Sequence, residues 1–119
     1  MIAVINVWHT AQTIANTNAI ISDPISQMRN KGIGALLLIL AGTTPSIDIT
    51  MQVGITDTGS FYDPVDGNAT ALTISHTSVT ASSWIQFSPV PAPYMKIVLT
   101  GSASNGADTT ARAYLAFQE

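Results

Sequence analysis

Nucleophilic catalysis needs a Ser, Thr or Cys beside a base that a third group holds in place. The only imidazoles in this chain are His9 and His76. Neither stands in a supporting motif: Ser and Thr are too frequent for one near a histidine to carry meaning, and no G-x-S-x-G elbow occurs. His76 is expected to face solvent at the end of a strand, and His9, which follows Trp8, to cap the first one. Glycoside hydrolysis requires two carboxyl groups placed across a cleft. The acids are six Asp and Glu119, most of them in stretches that read as turns. The sequence therefore predicts no catalytic residue, no cofactor and no enzyme.

The acidic stretch DTGSFYDPVDGN places Asp57, Asp63, Asp66 and Asn68 around Gly67, a set of hard oxygen ligands of the kind calcium takes. Its spacing does not match the EF-hand loop. Turn formation accounts for each residue separately, because Asp accepts local backbone hydrogen bonds and Gly takes positive φ, so no metal site is expected. Trp8, Tyr62 and Trp84 have the aromatic faces on which a sugar could stack, although packing at sheet edges is the commoner fate of large aromatics. Tyr94 ends the segment PVPAPY, which is similar to a polyproline ligand, but a crossover between strands explains it more simply. Arg112 and Lys96 fall on the polar faces of two predicted strands, there to meet across a subunit boundary or to keep the sheet soluble. With Arg29 and Lys31 they are the only basic residues, too few for the phosphate contacts on which nucleic-acid affinity rests.

Positioning these groups falls to strands. Ile47 to Thr56 alternates Ile47, Ile49, Met51, Val53 and Ile55 with polar residues and Gly54, the period-two pattern of a half-buried strand. Ile33 to Leu40 contains five consecutive aliphatic residues from Leu36, which predicts a strand covered on both faces. Tyr94 to Thr100 and Ala111 to Phe117 also alternate, and the Gly-, Ser-, Asn- and Asp-rich stretch from Gly101 to Asp108 predicts that they form a hairpin. Further strands are expected at Ile2 to Trp8, Ile25 to Arg29, Ala71 to Ser75 and Trp84 to Ser88. Thr10 to Asn18 and Thr56 to Asn68 read as loops or arms. Pro89, Pro91 and Pro93 remove three backbone donors, so their segment is expected to cross between sheets. About eight strands with two long connections predict a single all-β domain over 1–119. Its architecture is an antiparallel sandwich of jelly-roll or related Greek-key topology, with an extended arm or long loop at 9–23. An immunoglobulin-like sandwich is the nearest competitor.

Charged residues make up 9% of the 119 residues, hydrophobic ones 46%, and the net charge is −3. A typical soluble domain carries about 25% charge. Mean hydropathy is +0.32, the opposite of a disordered composition. A fold with so few charges tends to associate, so an assembled protein is expected. Cysteine is absent, which excludes disulfides and thiolate metal sites. The opening MIAVINVWHT lacks the features of a signal peptide, and the longest apolar run, Ala35 to Ala41, is too short for a bilayer-spanning helix. Synthesis in a cytoplasm, with no membrane partner, is the expectation.

The order of features in ALLLILAGTTPSIDITMQVGITDTGSFYD and SSWIQFSPVPAPYMKIVLTGSASNGADTTARAYLAF resembles the small β-sandwich decoration, or cement, proteins of tailed bacteriophages. The likeness covers Ile33 to Phe117 and is one of pattern and composition. It implies a non-enzymatic virion protein, made in the host cytoplasm, that binds the outer surface of the phage head as a homotrimer or homodimer. Its partner there is the major capsid protein. A carbohydrate- or receptor-binding module of a tail or fibre, using Trp84, Tyr62 or Trp8, is the alternative. Tyr94 and Arg112 complete the set of candidate interface or ligand contacts.

Overall fold

The computed structural model describes residues 1–69 and 76–118, and every regular element among them is a strand. In chain order these are β1 (Ile2–Thr13), β2 (Ala19–Ile21), β3 (Ile25–Ser26), β4 (Gly34–Ala41), β5 (Ile47–Gly54), β6 (His76–Val79), β7 (Ser83–Phe87), β8 (Tyr94–Gly101) and β9 (Thr110–Gln118). They form two antiparallel sheets, ordered β1-β9-β4-β7 and β2-β8-β5-β6, with β3 added to β8. That wrapped order is a jelly roll. An immunoglobulin-like sandwich groups its strands as ABED and CFG, so strand order separates the two candidate topologies.

Period-two alternation builds the core. Leu36 and Leu38 of β4, Ala113, Leu115 and Phe117 of β9, and Ile85 of β7 point inward from the first sheet. Ile47, Ile49 and Met51 of β5, with Met95, Ile97 and Leu99 of β8, meet them from the second. Burying each large aliphatic side chain contributes about 1.5–3 kcal/mol.

Three expectations are corrected. The strands at 94–100 and 111–117 do not form a hairpin: β8 pairs with β2, β3 and β5, whereas β9 pairs with β1 and β4. Their apolar faces do meet, but across the core, because the connection between them passes from one sheet to the other. Second, residues 9–23 are not an arm. The first strand runs on past His9 to Thr13, accommodating polar residues through two register shifts, and Ile14 is fully buried in the core. After it, β2 pairs with β8. Third, the strand expected at 25–29 is only two residues long. The stretch 71–75 lies outside the described residues. The proline segment does connect the two sheets, from β7 to β8, as its missing donors require. Its carbonyls still need partners, and the buried Gln27 provides them, donating from Nε2 to the oxygens of Val90 (3.2 Å) and Ala92 (3.3 Å).

At one end of the sandwich the connections from β1 to β2, β4 to β5 and β8 to β9 converge on Asn105. Its Nδ2 donates to the carbonyls of Ile14 (2.7 Å) and Asn16 (2.8 Å), and its Oδ1 accepts from the amide of Ser46 (3.0 Å). The Asn16 carbonyl also packs against Gly101, where any Cβ would collide with it. Nearby, Gly42 leaves β4 at φ 127°, a conformation that L side chains rarely adopt. Beside it Asp108 Oδ2 accepts from the Thr43 amide (2.9 Å) and hydroxyl (2.6 Å).

Asn105→Ala removes three hydrogen bonds and strands buried partners, so stability measured by urea unfolding should fall by about 3 kcal/mol. Asn105→Asp should be worse despite its shape, because it turns an acceptor oxygen toward two carbonyls. For Asp108, the hydroxyl and then the amide of Thr43 hold the carboxyl below its ordinary value. A depressed folded value gives stability that is present above the unfolded carboxylate range and lost as pH falls through the folded value. An NMR titration should therefore find the Asp108 midpoint below that of a free aspartate, and Thr43→Val should raise it.

Candidate functional site

A sheet with one face on the core normally turns polar residues to water on the other. The second sheet does so except at Ile21 of β2, 55% exposed opposite Val98. Its outer positions carry Asp48, Thr50 and Gln52 on β5, and Lys96, Val98 and Thr100 on β8. Lys96 lies 4.3 Å above the Phe61 ring, and Gln52 Nε2 donates to Asp63 Oδ1 at 3.3 Å.

The outer face of the first sheet departs from that rule. Antiparallel register aligns Val4, Ala116, Ala35 and Gln86 in one row across β1, β9, β4 and β7. The next row is Asn6, Tyr114, Leu37 and Trp84. Ile2 and Ile33 border the first row. Exposure is high for large apolar groups: 63% at Ile2, 66% at Val4, 52% at Ile33 and 65% at Trp84. Because the small Ala35 and Ala116 sit side by side at the centre, the face is concave. One depression of about 270 Å³ lies between Ile2, Val4, Ile33 and Trp84, floored by those alanines. A second of about 340 Å³ lies between Val4, Leu37, Trp84 and Tyr114. The single ionised side chain at these ladder positions is Arg112, at one end opposite Ile39, where its Nε donates to the His9 carbonyl at 2.9 Å.

The residues singled out from sequence are scattered. Trp84 is on this face. Trp8, on the far edge strand β1, is half-buried against the core. Tyr62 is 66% exposed but is bridged to Val53 at the end of β5, in the other sheet. Tyr94 is half-buried where β8 pairs with Ser26 and Gly54. No shared aromatic platform joins Trp8, Tyr62 and Trp84. Lys96 and Arg112 lie on the outer faces of different sheets. His9 is exposed in mid-strand, and His76 opens β6 opposite Ile49. In the acidic stretch Asp66 Oδ1 accepts from the Asn68 amide at 2.8 Å, the local turn bond its sequence predicts. Among the described residues no three His, Asp or Glu side chains converge to hold a metal ion, and no helix is long and apolar enough to cross a membrane.

Sequence reasoning missed Val4, Leu37, Tyr114 and Ala116. A signal was present in the Leu36 to Leu40 run, whose uninterrupted apolarity predicted two covered faces. Only one is covered by the described residues. The chain matches no known family model, and no curated protein matches it.

The two tryptophans report this arrangement. The emission of Trp8→Phe, arising from Trp84, should be strongly quenched by acrylamide, whereas that of Trp84→Phe should be shielded.

Proposed function

We propose that this protein is a non-enzymatic structural protein of a virion, a decoration or cement protein that binds the outer surface of a phage head. There it stabilises contacts between major capsid subunits. The observation that carries the reading is the second apolar face of the β1-β9-β4-β7 sheet, left open by the described residues and almost free of charge. Contiguous apolar surface beyond a few hundred Å² marks an interaction site. An uncharged concave face suits burial against another protein, because no ion must lose its hydration. Fold-level analogy points the same way, since jelly rolls recur in viral capsid proteins. The mechanism is mass action: a protein that binds the assembled shell and not its separated subunits stabilises the shell by RT ln(1 + [L]/Kd), about 2.7 kcal/mol at a hundredfold excess over Kd.

A second reading, a carbohydrate-binding module of a tail or fibre, draws on one observation. Trp84 lies open on the sheet with Gln86 next to it on the same strand, an aromatic face beside a hydrogen-bonding amide.

The test compares wild type with Val4→Lys, which places a charge on the open face at a 66% exposed position. Wild type should sediment with expanded phage heads and raise their melting temperature. Val4→Lys should keep its own thermal stability and lose head binding by at least tenfold. Absence of head binding by the wild-type protein, with glycan-array binding abolished by Trp84→Ala, would transfer the assignment to the second reading.

A further inference from the structure

Four sheet edges are available among the described residues, and three are blunted in ways that discourage pairing with another chain. Strand β1 is broken by two register shifts and faces Arg29 across a shallow depression. The β2 and β3 edge consists of three-residue and two-residue strands separated by Pro24. The edge at β6 is irregular, with a register shift against β5 and Ser78 at φ 53°, its amide donating to Asp48.

The fourth edge, β7, has none of these guards. It pairs with β4 in unbroken register over its whole length. It contains no proline, and the chain carries no Asp, Glu, Lys or Arg between Asp66 and Lys96. The direction of its free backbone groups follows from the ladder. The Gln118 amide bonds the Ile33 carbonyl, so alternate residues of β4 from 35 onward turn their backbone toward β9, and Gly34, Leu36 and Leu38 turn theirs toward β7. Leu40, whose amide meets Ser82 Oγ at 3.0 Å, fits that alternation. On β7 it is therefore Phe87, Ile85 and Ser83 that bond β4. The amides and carbonyls of Trp84 and Gln86 point outward, with no backbone partner among the described residues.

We infer that the free edge of β7 pairs antiparallel with β7 of a second copy, joining two four-stranded sheets into one continuous eight-stranded sheet. Antiparallel pairing of a strand with itself is closed by a two-fold axis, which satisfies the outward groups of both copies at once. Charge favours this occupant: a neutral edge offers a charged partner nothing to pair with, whereas its own copy brings no repulsion and no ion to desolvate. The two-fold axis also places both open apolar faces on the same side of the joined sheet, with a Trp84 from each copy beside the seam. The paired strands are about 17 Å long. A five-residue edge on each copy makes a small contact, at the weak end of specific interfaces. Association should accordingly depend on concentration. This pairing does not rest on the capsid reading, and loss of head binding leaves it standing.

The experiment is amide exchange by NMR on the full chain, alongside sedimentation at matched concentrations. As dimer accumulates, exchange at Trp84 and Gln86 should slow in proportion, at least tenfold at saturation, while Ile85 is protected throughout. Gln86→Pro deletes one outward donor and touches no bond to β4, so it should yield a monomer. Should that variant unfold, Gln86→Lys serves in its place as a charged guard. Val4→Lys, at the opposite edge of the face, should dimerise normally. A protein monomeric at every concentration would overturn the inference. So would a dimer whose Trp84 and Gln86 amides exchange freely, or one dissolved by Val4→Lys and spared by the changes at Gln86.

Discussion

Asn105 gives both of its amide hydrogens to carbonyls of the segment that carries the chain from β1 to β2, and takes one from the residue that leads into β5. A jelly roll depends on such a point, because its strands change sheets at almost every connection and no local hairpin holds the layers together. Fixing Ile14 at the end of β1 also fixes how much slack the register shifts of that strand can take up. The pairing of Val4 with Ala116 is set by that slack. A slip of one residue would turn Ile2 and Val4 inward and put Ala3 and Ile5 outside. The open apolar face thus depends on a polar contact at the far end of its edge strand.

The two sheets treat solvent differently, and the low charge of the chain is concentrated in that difference. The outer face of the β2-β8-β5-β6 sheet carries Asp48, Gln52 and Lys96, with Lys96 steadied over Phe61. The other sheet has Arg112 alone, tied to a backbone carbonyl. One side of the molecule is therefore suited to water and the other to a neighbour. Composition sums over both and reports only that charge is scarce.

Much of the fold was legible because period-two alternation is a local property. The strand expected from Ile47 and the one expected from Ile33 lie within two residues of their observed bounds. Pairing was not legible. Tyr94 to Thr100 and Ala111 to Phe117 have matching alternation, which serves equally well for hydrogen-bonded neighbours and for strands that face each other across a core. Residues 10–13 misled for a different reason: Thr10, Gln12 and Thr13 read as loop, yet the shifted strand absorbs them, while the isolated Ile14 gave no periodic signal and 15–18 do form a connection. As for the site, Leu36 to Leu40 announced a second covered face, and Trp84 was singled out. Their union with Val4 and Tyr114 required strand order, which no short window of sequence contains.

The open face is assembled from β1, β9, β4 and β7, drawn from residues 2–13 at one extreme and 110–118 at the other. Its central alanines come from β4 and β9, some eighty residues apart in sequence. During synthesis, then, no partial chain that lacks β9 can display this surface, since β1 and β4 are joined only through it. The face therefore comes into being in a single step, when β9 is laid between β1 and β4.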